Sequence, residues 1–150
     1  MRILVDADGC PVREIVLRLA QQAGVAVLLV TDTAHAFPPG YGTIITVDQG
    51  RDSADMKLCN LVRAGDLVVT QDYGVAAMAL ARGARAVSQN GMEYHDGNMD
   101  QLLLERHLGQ KMRRAGRRGI LRGAKKRTPA EDERFASWLR QWLSSLPSDA

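Results

Sequence analysis

Apolar residues fall in short branched runs separated by stretches with helical spacing, and this rhythm changes after Gly91. The run "RILVD" (2–6) has the continuous apolar character of a strand buried on both faces of a parallel sheet. Pro11 suits a first helical position, and "VREIVLRLAQQAG" (12–24) places Val12, Ile15, Val16 and Leu19 at helical spacing before Gly24. The alternation then repeats, with strands predicted at 25–31, 43–47, 66–70 and 84–88, a loop "PPGYG" at 38–42, and helices at 52–65 and 74–83. In the helix at 52–65, Met56, Cys59 and Val62 are expected on one face and Gly65 at the end. Strands alternating with helices predict an α/β fold, a parallel sheet with helices on both faces.

Beyond Gly91 the pattern predicts a helix at 98–116 with an apolar stripe through Leu102, Leu103 and Leu104. "RRGILRGAKKR" (117–127) follows as a basic, glycine-containing loop. Thr128, Pro129 and Glu131 then form a capping-box pattern that opens a final helix. Its Phe135, Trp138, Leu139, Trp142 and Leu143 recur at one helical face, expected to pack on the sheet domain rather than on a second copy. The chain therefore predicts one domain, 1–150, with a basic helix-loop-helix extension over about 98–146. Oligomeric state stays open, a homodimer included.

Composition adds little to this until charge is divided by region. At 150 residues, 45% hydrophobic and 25% charged, the chain is long enough for one buried core. Two cysteines, Cys10 and Cys59, have neither a disulfide framework nor zinc spacing, which suits a reduced compartment. "MRILVDADG" has no leader-like pattern, and no apolar run approaches about 18 residues, so a cytoplasmic protein without a membrane partner is expected. Residues 1–100 hold 8 Lys/Arg against 12 Asp/Glu, net −4; residues 101–150 hold 12 against 5, net +7. An acidic body with a basic tail predicts a polyanionic partner, nucleic acid, with RNA ahead of DNA. The residues expected to meet phosphates are Lys111, Arg113, Arg114, Arg117, Arg118, Arg122, Lys125, Lys126 and Arg127. Few aromatics interleave with them, so base-specific stacking is not predicted.

Candidate chemistry lies at the strand ends. Ligands of a parallel α/β sheet bind at the carboxyl ends of its strands. Asp6 ends the first strand and Asp8 lies just beyond it; Asp52 and Asp55 open the helix after the third; Asp72 follows the fourth. Each alone could cap a helix or close a turn. Together they would repel and raise one another's pKa unless a cation sat among them. An all-oxygen set favours a hard ion, Mg²⁺ or Mn²⁺. Such ions activate water and stabilise a leaving oxygen, so metal-assisted phosphodiester hydrolysis is expected, with Asp6, Asp52, Asp55 and Asp72 as metal ligands and catalytic acids. Asp8 is either a further ligand or a turn residue.

The ordered motifs "VDADGCPV", "GRDSAD", "GDLVVTQDYGVA", "GMEYHDGNM" and "RRAGRRG…TPAEDERF" resemble the YaiI/YqxD family of uncharacterised bacterial proteins, which is grouped with PIN-like nucleases. The resemblance spans nearly the whole chain. It implies a three-layer α/β/α PIN-like sandwich on a five-stranded, mainly parallel sheet of order 3-2-1-4-5, with C-terminal helices added. It also implies metal-holding acids at the positions of Asp6, Asp52 or Asp55, and Asp72. One departure is Gly123-Ala124, where the family pattern has Gly-Pro.

Other functions compete. "VDADG" also resembles the first motif of HAD-type phosphatases, with Asp6 as nucleophile and Asp8 as general acid, but Lys57, Thr70 and Asp72 stand in the wrong order and spacing for the remaining motifs. Cys10, ahead of a helix, lacks the arginine six positions on that a cysteine phosphatase requires; Val16 stands there. His35, His95 and His107 show no ligand spacing, and Thr70 reads as a strand-end residue. The main alternative is a non-catalytic nucleic-acid-binding or regulatory protein with a vestigial acidic site.

Overall fold

The computed structural model describes residues 1–32, 37–47, 53–114 and 126–147; at 103, 106, 107 and 109–114 only the backbone is described. In chain order the elements are β1 (Arg2–Asp6), α1 (Arg13–Ala23), β2 (Ala26–Thr31), β3 (Thr43–Thr46), α2 (Ala54–Leu61), β4 (Leu67–Val69), α3 (Tyr73–Ala81), β5 (Arg85–Val87), β6 (Glu93–Tyr94), α4 (Asp96–Arg114) and α5 (Pro129–Ser145). The sheet order is β3-β2-β1-β4-β5-β6. Its first five strands are parallel, in the order expected. The five-stranded expectation is corrected to six: β6 pairs antiparallel with β5, Ala86 opposite Tyr94 and Val87 opposite Glu93. Two residues are too short a stretch to show alternation, so pattern could not reveal that strand.

Alternate residues of each strand feed opposite cores, as the pleat requires. Ile3, Val5, Val27, Leu29, Leu67 and Val69 face one core together with Val16 and Leu19 of α1 and Phe135, Leu139 and Trp142 of α5. Leu4, Val30, Val68 and Ala86 face the other, with Leu58 of α2, Val75 and Ala79 of α3, and Met99 of α4. The layers are therefore helix, sheet, helix. Each large side chain that α5 buries contributes about 1.5–3 kcal/mol, more than its helix propensity supplies. The α5 stripe packs on the sheet domain, as expected.

Several boundaries move for identifiable reasons. α1 ends at Gly24, whose φ of 71° takes the left-handed conformation. α2 stops at Leu61, short of Gly65, because a carbonyl and an N–H that a further turn would use are claimed from outside. The Arg2 guanidinium donates to the Leu61 carbonyl at 2.7 Å, and Asp66 accepts the Arg63 N–H at 2.9 Å. On α2 the buried face is Leu58, followed by Val62, with Cys59 and Leu61 partly buried, whereas Met56 is exposed. α4 begins at Asp96 because Asn98 accepts the His95 N–H and donates to the Glu93 carbonyl. Its Leu102 is partly buried and Leu104 exposed, since successive helical residues turn by about 100° and cannot share one face. At α5 the Thr128 hydroxyl donates to the Glu131 carboxylate instead of accepting a backbone N–H, so the predicted capping box does not form.

Candidate functional site: an acidic edge at the strand ends

The parallel register carries the carboxyl ends of β1, β2 and β4 to one edge of the sheet, and acids leave each of them. Asp6 is the last residue of β1. Thr70, one residue past β4, donates its hydroxyl to Asp6 Oδ2 at 3.1 Å and accepts the Asp72 N–H on the same oxygen at 3.0 Å. Asp72 is the N-cap of α3: its Oδ1 accepts from Gly74 N at 2.8 Å and Val75 N at 3.2 Å. Asp55 lies in the first turn of α2, whose N-cap is Ser53, and its carboxyl stands beside that of Asp72. Asp8 accepts from the Thr31 hydroxyl and from Asp32 N at 3.1 Å, which ties the loop after β1 to the end of β2.

These groups perturb one another. Burial, with smaller contributions from the charges of Asp55, Asp8 and Asp72, lifts the Asp6 carboxyl to about 6 against the lowering effect of the Thr70 hydrogen bond. Asp55 is raised by burial and by Asp72 beside it. Asp32 is raised through its hydrogen bond with Asp8. Crowding that raises carboxyl pKa values in this way is what a cation would relieve. Among the described residues the acids converge in pairs, Asp55 with Asp72 and Asp8 with Asp32, and no three or more acidic, His or Cys side chains stand close enough together to hold a metal ion. Asp52, the fourth expected ligand, lies outside the described residues.

Two recesses flank the edge. A narrow cleft of about 60 Å³ is lined by Asp6, Asp8, Cys10, Thr70, Gln71 and Gln89. A wider, apolar groove of about 390 Å³ runs between α2 and α3, lined by Asp55, Met56, Cys59, Asp72, Val75 and Met78. Burial pushes both the Cys10 and the Cys59 thiol up, the reverse of what a nucleophile needs. Asp8, held as an acceptor by Thr31 and Asp32, is poorly placed to give up a proton as a phosphatase acid would.

The basic segment meets this edge at its last residue. Arg127 donates to the Gln89 carbonyl at 2.6 Å, to Asn90 Oδ1 at 2.8 Å and to the Asp132 carboxylate. Its guanidinium is thus engaged in joining the start of α5 to the turn between β5 and β6, with Gln89 lining the acidic cleft. Lys126 is exposed. Lys111, Arg113 and Arg114 lie on the last turn of α4, where only backbone is described, and Arg117, Arg118, Arg122, Gly123-Ala124 and Lys125 lie outside the described residues.

Three groups at the edge escaped the sequence reading: Asp32, Gln71 and Gln89. Asp32 follows β2 as Asp6 ends β1, so the strand-end rule itself could have found it. Nothing in the pattern marked the two glutamines, because carboxamides carry no charge and fit any loop.

An acid-edged, helix-covered parallel sheet defines the class of protein. Within it, the family model for the uncharacterised YaiI/YqxD family matches residues 4–145, and this chain belongs to that family. It is 56% identical to a UPF0178 protein of Ruminiclostridium cellulolyticum over 90% of this chain and 87% of the relative. A UPF0178 protein of Alkaliphilus oremlandii is 49% identical over 95% and 91%, and one of Clostridium acetobutylicum 48% identical over 95% and 97%. No solved structure matches the chain. Among the described residues no helix is long and apolar enough to cross a membrane.

Proposed function

We propose that this protein is a PIN-like, Mg²⁺- or Mn²⁺-dependent nuclease that hydrolyses phosphodiester bonds of a nucleic-acid strand, RNA ahead of DNA, at the acidic edge. The observation that carries this is the gathering of Asp6, Asp55 and Asp72 from three separate segments to within electrostatic reach. Their all-oxygen chemistry fits a hard divalent cation. Asp55 and Asp72, which stand together, would hold it, with Asp6, Asp52 and Asp8 as the candidates to complete the set. When bound, the ion would supply a more acidic water and neutralise charge on the phosphate. The chain's own part is positional: Thr70 orients Asp6 and the backbone of Asp72, and the cap on α3 fixes the Asp72 carboxylate. Arg127 brings the end of the basic segment to the same rim.

The test is calorimetric Mn²⁺ titration of wild type and Asp72→Asn, paired with cleavage of an end-labelled single-stranded RNA. Asparagine retains the helix cap, so the variant separates metal loss from unfolding. Wild type binds and cleaves; the variant loses at least about tenfold in metal affinity and loses cleavage. Absence of binding by wild type at millimolar Mn²⁺ sinks the proposal.

A second function, non-catalytic nucleic-acid binding, is favoured by one observation, the convergence of described acids in pairs rather than threes. It predicts strand affinity that is independent of metal and unchanged in Asp6→Asn and Asp72→Asn.

A further inference from the structure

The cleft beside Asp6 gathers carboxyl oxygens on one side. Asp6 and Asp8 present carboxyl oxygens, and the Thr70 hydroxyl proton is directed at Asp6. A phosphate oxygen entering there would meet repulsion from these acceptors, which a cation among the acids would offset, and a neutral donor beside them would give that oxygen a fixed partner. Gln71, which sits between Thr70 and Asp72, lines that cleft and is exposed to solvent.

Its orientation is set by the backbone. Gln89 N–H donates to Gln71 Oε1 at 3.3 Å. A backbone N–H can only donate, so the partner end of the carboxamide is the oxygen and the opposite end carries the NH₂. Among the described residues nothing accepts from that NH₂. The anchor is itself held, because the Gln89 carbonyl accepts from Arg127. On the other side, the backbone after Gln71 is held by Thr70 Oγ1 through Asp72 N. The side-chain oxygen and the backbone that follows are therefore constrained, and the two carboxamide donors remain uncommitted.

We infer that the Gln71 carboxamide is the donor that receives a non-bridging phosphate oxygen of the nucleic-acid strand at this cleft. The inference deepens the nuclease proposal and rests on it for the identity of the ligand. A carboxamide suits the position, since it donates without titrating and is a weak competitor for a hard cation beside it. The cleft's small volume, about 60 Å³, suits a phosphoryl group and leaves sugar and base outside it.

The test compares wild type, Gln71→Glu and Gln71→Ala. Glutamate keeps the acceptor for Gln89 N–H and the side-chain length while removing the donors; alanine removes the donors without adding charge. Fluorescence anisotropy with a labelled single-stranded oligoribonucleotide in Mn²⁺ reads strand affinity, and calorimetry with Mn²⁺ alone reads the metal. Both variants are expected to bind the strand at least about tenfold more weakly. Gln71→Ala keeps Mn²⁺ affinity within about twofold, as a residue that touches phosphate rather than metal should. Wild-type strand affinity in Gln71→Ala overturns the inference, and so does failure of the wild type to bind the strand. Wild-type binding without cleavage, combined with weaker binding by both variants, would reject the nuclease proposal and uphold Gln71 as the phosphate donor.

Discussion

The Thr70 hydroxyl joins the two acids that the sheet brings side by side, donating to Asp6 Oδ2 at 3.1 Å and accepting the Asp72 N–H at 3.0 Å. One oxygen thereby couples the end of β1 to the start of α3. It also opposes the burial that lifts the Asp6 pKa, which has a consequence for stability.

Asp6 moves from its ordinary value of 3.8 up to about 6 on folding. A raised folded value means its contribution is fully favourable below about pH 3.8 and is lost as pH rises through about 6. At neutral pH the charged form costs about 1–2 kcal/mol once solvent screening is discounted. Asp6→Asn, which can still accept from Thr70, should therefore be more stable than wild type at pH 7 by that amount and about equal at pH 3.5. Urea unfolding at a series of pH values checks this. A constant difference between the two proteins across the series would show that Asp6 does not carry the strain. Millimolar Mn²⁺ should narrow the gap at pH 7 if the ion binds there.

The cap on α3 makes a separable prediction. Asp72→Ala removes the acceptor for Gly74 N and Val75 N, while Asp72→Asn keeps it. Both relieve the same charge crowding, so their difference isolates the cap. Alanine should be less stable than asparagine by about 1 kcal/mol in urea melts. Equal midpoints would mean that those two hydrogen bonds do not hold the helix start.

Arg127 joins two regions distant in sequence, and Gly91 lies against the same junction. A Cβ on Gly91 would stand 2.9 Å from the Arg134 carbonyl oxygen, so the β5–β6 turn and α5 meet backbone to backbone. Arg127→Ala should cost about 1–3 kcal/mol and raise amide hydrogen exchange in residues 88–92 and 129–135 together. Faster exchange in α5 alone would show that the guanidinium serves the helix and not the junction.

Much of the architecture was legible in the chain because apolar periodicity reports burial directly. Unbroken runs such as "RILVD" belong to strands covered on both faces, and the α5 stripe shows which side of that helix packs. Strand-end acids were legible for a related reason: a polar residue that closes a buried run lies at the sheet's edge, where ligands of this fold class bind. The end of α2 was not legible, since it depends on Arg2 arriving from β1 to take the Leu61 carbonyl. The exposed Met56 was misplaced because an eight-residue helix with one fully buried residue carries little amphipathic signal.

Local sequence determined the strands, most of the helices and the acids at the edge, because each depends on a residue and its near neighbours. Tertiary structure decided which groups meet. The pairing of Asp55 with Asp72 and of Asp8 with Asp32, the bridge at Thr70 and the docking of Arg127 on Gln89 all join segments through space. So does the pKa of Asp6, which follows from burial and neighbouring charge, neither of which exists until the sheet has formed.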